Sequence, residues 1–161
     1  MKKKTMTNLL HAILVVAVLL GAVFFFCAVP LAGREIREAN PEYGWAYVPC
    51  LIWAWAFAAP IFAAVIPCWR IFSGIAAPQG AFTRQNARSL RLIAWLAFAD
   101  ALIFPAGMLV LAFMGAGQPG LTVIVTPMVM LACAAVGIVA LVLGHLVSDA
   151  VVLQEENDLT I

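Results

Sequence analysis

Charged residues are scarce in this chain of 161 residues. Asp, Glu, Lys and Arg together make up 11% of the sequence, and hydrophobic residues make up 65%. Soluble proteins contain roughly 25% charged and about 45–50% apolar residues. A soluble protein of this length could not cover its surface with so few charges. The composition therefore excludes an ordinary soluble domain and predicts a membrane protein built as one unit over residues 1–161.

Sequence motifs of enzymes, nucleotide-binding proteins and metal proteins are also missing. The chain contains no G-x-G-x-x-G, no P-loop and no internal repeat. Its four cysteines include no C-x-x-C pair, so free thiols in apolar surroundings are expected instead of a metal or redox site. Without a nucleophile–base pair, the sequence predicts a non-enzymatic protein with no cofactor. It also lacks a contiguous basic patch, so no direct nucleic-acid binding is expected.

Four long apolar runs dominate the remaining sequence. A helical bilayer crossing takes about 20 apolar residues, and the runs lie at about 9–32, 47–70, 92–114 and 121–147. Backbone groups in lipid must bond internally, so each run is predicted to be a helix. The first run is longer than a signal-peptide core and is expected to be retained. The fold class is thus an all-α polytopic membrane protein, an antiparallel four-helix transmembrane bundle.

Basic residues are distributed unevenly between the two sides of these helices. Two of them, Arg34 and Arg37, follow the first run. Seven lie on the other side, in the N-terminal segment and around the connection between the second and third runs: Lys2, Lys3, Lys4, Arg70, Arg84, Arg88 and Arg91. By the positive-inside rule, both termini are predicted to be cytoplasmic. The expected location is the bacterial cytoplasmic membrane, with the lipid bilayer as the first partner.

The third and fourth helices are predicted to extend beyond the bilayer on the cytoplasmic side. Thr83 stands at an N-cap position, and a helix from there to about Met114 would be about 48 Å long at 1.5 Å per residue. The fourth helix, from about Leu121, is equally long. Two helical extensions, at about 83–91 and 148–157, are therefore expected to stand side by side.

Charged residues on these two extensions are candidates for an interaction between the helices. Arg84, Arg88 and Arg91 share one predicted helix face, and His145 and Asp149 share another because they are four residues apart. We predict an ion pair from Arg88 or Arg91 to Asp149. The alternative is that the arginines contact anionic lipid headgroups. A metal or pH-sensing cluster of the two histidines with Asp149 has little support, because interfacial histidines are common.

Asp100 is the only charged residue deep inside an apolar run. A carboxylate at that depth costs several kcal/mol by insertion-based estimates. Small residues at the same level of the fourth helix, Cys133 and Gly137, favour close approach of two backbones. Two interpretations stay open. Asp100 either forms a structural hydrogen bond between the helices, or acts as a proton relay or a ligand counter-ion.

Two short segments resemble a family of uncharacterised bacterial four-span membrane proteins. The segment AFTRQNARSLRLIA at 81–94 matches an F-T-x-x-N-x-x-x-L motif at Phe82, Thr83, Asn86 and Leu90. It departs from the family at Gln85, where an acidic residue is frequent. The segment LQEENDLTI at 153–161 matches a glutamate-rich E-N-D-L-T-I tail at Gln154, Glu155, Glu156, Asn157, Asp158, Leu159, Thr160 and Ile161.

The resemblance implies a regulatory function, because family members are commonly encoded beside a very small helix-turn-helix regulator of the Cro/repressor type. The membrane protein would hold that regulator through the acidic tail, ending in Leu159 and Ile161, and release it on a membrane-borne signal. Alternatively, the tail folds back on Arg84 and Phe82 as an intramolecular clasp, and both can hold together. The alternative function is a small transporter, channel or membrane-protecting immunity factor. A homo-oligomer also stays open.

Overall fold

A computed structural model describes residues 3–76, 82–117 and 119–158, with the backbone alone described at 3, 76, 119, 121, 157 and 158. Every regular element in these ranges is helical: α1 (Lys3–Val23), α2 (Val29–Ala39), α3 (Tyr47–Ala63), α4 (Val65–Ala76), α5 (Arg84–Phe113) and α6 (Pro119–Asp158). Four continuous or nearly continuous helices are long and apolar enough to cross a bilayer: Lys4–Ala39, Pro41–Ile75, Arg84–Phe113 and Thr122–Glu156. The predicted all-helical, multi-pass membrane architecture is confirmed at this level.

The first of these long helices contains a proline without being interrupted. Between α1 and α2 the chain forms a π-helical turn over Phe24–Ala28, immediately before Pro30. Pro30 has no backbone N–H, so a carbonyl one turn earlier loses its usual partner. The carbonyl of Phe25, five residues before Pro30, accepts a hydrogen bond from Trp55 Nε1 on α3 at 3.3 Å. A neighbouring helix thus replaces the missing donor, as is common in membrane proteins.

The second long helix is broken at a single residue. A short 3₁₀ helix (Pro41–Ala46) leads into α3, and Ala64 separates α3 from α4. Pro67 lacks an N–H, and its ring crowds the carbonyl four residues earlier, which explains the break at this position. Hydrogen bonds on both sides of Ala64, to Pro60 at 2.9 Å and from Cys68 at 3.1 Å, keep the chain running in one direction.

Packing is most extensive between α5 and α6. The α5 helix also packs on α3 and α4, and α1 packs on α4. Glycines let α5 and α6 approach closely: a Cβ built on Gly137 would lie 2.7 Å from Phe98, and one on Gly144 would lie 3.4 Å from the Ala87 carbonyl oxygen. The prediction that small residues on the fourth helix allow close approach is confirmed.

The ends of α5 and α6 reach beyond their apolar runs. Thr83 precedes α5 in extended conformation, and its side chain accepts from the Asn86 N–H at 3.2 Å, which confirms the predicted N-cap. At 30 residues, α5 is about 45 Å long, and α6 at 40 residues is about 60 Å, against about 30 Å of hydrocarbon. The α6 helix continues to Asp158, close to the predicted end of its extension at about 157, because Gln154 and Glu155 are good helix formers.

Candidate functional site

An ion pair joins the polar ends of α5 and α6. Arg84 Nε donates to Glu155 Oε1 at 3.1 Å, and Arg84 Nη2 donates to Glu155 Oε2 at 2.5 Å. Both residues lie beyond the apolar runs 92–114 and 121–147, and both are exposed. The hydrogen bonds from Arg84 lower the pKa of the Glu155 carboxyl, and the same contact raises the pKa of Arg84. Because exposed pairs stabilise folding little, the pair chiefly shows that Glu155 lies over the first turn of α5.

The predicted ion pair from Arg88 or Arg91 to Asp149 is wrong. All three side chains are described, and no ion pair connects them. The α6 face that packs on α5 contains Gly144, and Arg91 Cγ lies 3.6 Å from the Cβ position of that glycine. Asp149, five residues later, is rotated by about 140° around the helix, whereas Glu155, eleven residues later, is rotated by only about 20°. The helix face, rather than the height along it, selects the partner.

The F-T-x-x-N motif lies where α5 is held between two neighbouring helices. Besides its N–H bond to Thr83, Asn86 is buried, with its amide 2.9 Å from the Cβ position of Gly74 on α4. Leu90 lies against Gly144 on the opposite side. Phe82, by contrast, is 56% exposed. Three of the four motif residues are therefore packing or capping residues, and Phe82 is free to contact something else.

The tail motif is only partly described. Glu155 contacts Arg84, so that part of the predicted clasp is present, whereas Phe82 is exposed. Glu156 is also exposed. The side chains of Asn157 and Asp158 and the whole of Leu159 lie outside the described residues. The clasp thus consists, within the described ranges, of the Arg84–Glu155 contact.

Asp100 is buried in the middle of α5, with 5% of its surface exposed. Its Oδ1 atom has no hydrogen-bond partner among the residues that the structure describes. The hydrogen bond across the helices that the structural interpretation requires is therefore not made by Oδ1. A buried carboxyl oxygen without a partner costs free energy, so the charge state of Asp100 is a candidate functional property.

The two histidines do not assemble with Asp149. His11 on α1 lies against α4, with its ring centroid 4.2 Å from that of Trp69 and its Nε2 3.2 Å from Ser73 Oγ. His145 and Asp149 are exposed on α6. In the part of the chain that the structure describes, no three His, Cys, Asp or Glu side chains are placed to hold a metal ion.

A cavity that was not predicted from the sequence lies at the C-terminal end of α5, which is the end opposite to Arg84. It has a volume of about 570 Å³ and lies between α2, α3 and the connection from α5 to α6. Its wall includes Arg37, Tyr47, Trp53 and Gly117. The indole of Trp53 packs directly on Gly107 of α5, where a Cβ atom would lie 1.7 Å from Trp53 Cδ1. The glycines at 33, 115 and 117 were the available sequence signal, because glycine often marks close approach or open space.

Comparison with known proteins places the chain in a family. Searches of curated proteins and of solved structures find no match. A family model described as "Protein of unknown function (DUF2975)" matches residues 31–161, which cover α3 to α6 and most of α2. An uncharacterised family was predicted from the sequence, and that part of the prediction is confirmed. The chain belongs to the DUF2975 family of proteins of unknown function.

Proposed function

We propose that this chain is a non-enzymatic protein of the bacterial cytoplasmic membrane that holds a small DNA-binding regulator at its cytoplasmic end. In this proposal the four spans are antiparallel, and both termini lie in the cytoplasm. The excess of basic residues at the N-terminus and around Arg84 supports this orientation. Labelling of single cysteines tests it, in a background in which the four native cysteines are replaced by Ala. Thr83→Cys should be protected from a membrane-impermeant thiol reagent in intact cells, and Tyr43→Cys should be labelled.

The observation that carries the proposal is the surface at the Arg84–Glu155 end. Phe82 is 56% exposed and Leu153 is 66% exposed. Both lie beyond the apolar runs at 92–114 and 121–147, in the part of the protein that this orientation places in the cytoplasm. In this proposal they lie against a protein partner. Asp149 and Glu156 are exposed on the same helix end as Leu153. An apolar and acidic surface of this kind suits a basic, DNA-binding protein and would cover its phosphate-contacting residues.

Co-purification tests this proposal. The tagged protein is extracted in mild detergent, and we expect a basic protein with a helix-turn-helix sequence to accompany it. Leu153→Asn should strongly reduce retention, because it removes the apolar contact without changing the charge. Leu146→Asn, which alters another exposed leucine within the apolar run, is the matched control and should retain the regulator. Absence of the regulator from wild-type preparations would overturn the proposal.

Asp100 supports the second candidate function, a small transporter, channel or immunity factor. Ionisable residues inside membrane spans are rare and mark proton or ion pathways, and Oδ1 of Asp100 has no hydrogen-bond partner among the described residues. Asp100→Asn keeps the shape of the side chain and removes its charge. If the protein moves protons, this variant should lose proton flux in liposomes loaded with a pH-sensitive dye. Wild-type protein without flux above that of empty liposomes would exclude proton transport through Asp100.

A further inference from the structure

The cavity between α2, α3 and the α5–α6 connection has the properties of a ligand site. Its volume of about 570 Å³ lies within the range of about 300–1,000 Å³ typical of small-molecule sites. Most of the wall is apolar, formed by residues such as Val29, Leu51 and Ala54. Among the described residues of the wall, Arg37 is the only one whose side chain carries a full charge. The lining is thus apolar with one cation.

Arg37 is available to an external anion. No carboxylate within the described ranges lies within 4.0 Å of its guanidinium. The guanidinium carbon lies over the ring of Tyr47, 5.9 Å from the ring centroid. Glu38 borders an adjoining pocket that also contains Arg37, but it does not line the cavity itself. An arginine next to an apolar cavity is well suited to a carboxylate or phosphate head group.

The position of the cavity along the chain identifies the rest of the ligand. Arg37 lies five residues after the first apolar run ends, and Tyr43 and Tyr47 also line the wall. Tyrosine and arginine at the end of a span are typical of the boundary between lipid and water. The apolar part of the cavity therefore lies on the lipid side of Arg37. A molecule that fits has an anionic head at the boundary and an apolar chain directed inward.

We propose that this cavity binds a single-chain anionic amphiphile of the fatty carboxylate class. The head group pairs with Arg37, and the chain lies against Val29, Ala54 and the indole of Trp53. The limited volume favours one chain over two. The site is independent of the regulator proposed above, and purified protein suffices to test it.

The test uses cis-parinarate, a fluorescent fatty carboxylate, titrated into the full-length protein in a non-ionic detergent, with protein-free micelles subtracted. We expect saturable binding that laurate displaces and dodecanol displaces poorly. Arg37→Gln should weaken binding about tenfold or more, the size of a lost charge-assisted contact. Arg34→Gln, which alters an arginine on the same helix outside the cavity, should change binding by less than about twofold.

A second pair of variants tests the apolar part of the site. Ala54→Phe fills the cavity and should remove most of the parinarate signal, whereas Ala56→Phe adds the same volume on an exposed position of α3 and should leave it unchanged. Equal losses in Arg37→Gln and Arg34→Gln would overturn the assignment of the head group. Equal binding by the two phenylalanine variants, or equal displacement by dodecanol, would overturn the site itself. Both tests measure parinarate binding to purified protein, so their outcomes do not depend on whether the regulator is retained.

Discussion

The first membrane span and the α5 helix differ in what surrounds them. The most apolar stretch of Lys4–Ala39 has the highest mean hydropathy of the four spans, yet none of its residues is buried inside the protein. In the corresponding stretch of α5, 22% of the residues are buried. The α5 helix is less apolar and carries Asn86, Ser89 and Asp100 on its buried side. Hydropathy therefore indicates contact with lipid. Small and polar residues indicate contact between helices.

The largest expected difference between the two regions is in their tolerance of a Gly→Ala substitution. Gly107→Ala in α5 would place Cβ 1.7 Å from Trp53, whereas Gly21→Ala in α1 would place it 3.7 Å from Phe62, an ordinary contact. We expect Gly107→Ala to lower the free energy of unfolding by about 2 kcal/mol through overpacking. Gly21→Ala should be neutral or slightly stabilising. Unfolding in mixed micelles with increasing dodecyl sulfate measures both.

A second variant tests whether the overlap with the Trp53 indole causes the loss of stability. Trp53→Ala in the Gly107→Ala background should recover part of the lost stability, because it removes the overlapping indole. If Gly107→Ala and Gly21→Ala unfold at the same detergent fraction, the contrast between the two helices does not hold.

The next largest effect on stability is expected at Asp100, on the buried polar side of α5. Asp100→Val replaces a buried carboxyl by an apolar side chain of similar size, and we expect a gain of about 1 kcal/mol in the free energy of unfolding. The reason is that Oδ1 has no hydrogen-bond partner to lose. The same micelle assay measures the change, with Asp100→Asn as the control that keeps a polar group. A clear loss of stability in Asp100→Val would mean that Asp100 holds the helices together.

An effect of similar size but opposite sign is expected at the start of α5. Thr83→Ala removes the oxygen that accepts from the Asn86 N–H, and the expected loss is about 1 kcal/mol. Thr83→Ser keeps the oxygen and should lose almost nothing. Circular dichroism during the micelle titration measures the two midpoints. Equal midpoints for Thr83→Ala and Thr83→Ser would show that the cap does not stabilise α5.

The smallest effect is expected for the Arg84–Glu155 pair. In a double-mutant cycle of Arg84→Gln and Glu155→Gln, we expect a weak coupling that disappears at high salt. The pKa of Glu155 is lower in the folded protein, so the coupling is present above the unfolded-state pKa and is lost as the pH falls through the folded-state pKa. Arg88→Gln, at an arginine without an ion pair, should show no coupling to Glu155→Gln.

The sequence was sufficient to predict the four helices, the cap at Thr83 and the close approach at Gly137 and Gly144. These features depend on apolar length, on one local hydrogen bond and on residue size, all of which are visible along the chain. The contact of Arg84 with the tail was predicted as the clasp, whereas the ion pair predicted from Arg88 or Arg91 to Asp149 was wrong, because the face of α6 that packs on α5 was not identified. Gly137, Gly144, Val151 and Glu155 repeat at the spacing of one α6 face, so this information was present.

The cavity could not be predicted in the same way. Its wall combines α2, α3 and the connection near Gly117, which are far apart in sequence. The distances between these elements depend on the packing of Trp53 on Gly107 and of Tyr47 on Gly33, and on the turn at Gly115 with φ of +84°. The glycines mark these positions in the sequence, but they do not identify the residues that pack on them.

The π-helical turn over Phe24–Ala28 sets the angular register of the first span. One residue beyond the normal α-helical count rotates everything that follows by about 100° relative to what precedes it. With this turn, His11 faces Trp69 and Arg37 faces the cavity. In an uninterrupted α-helix, the angle between these two side chains around the helix axis would differ by about 100°. Deleting one residue within 24–28 would leave the span apolar and long enough to cross the bilayer, but would turn Arg37 away from the cavity.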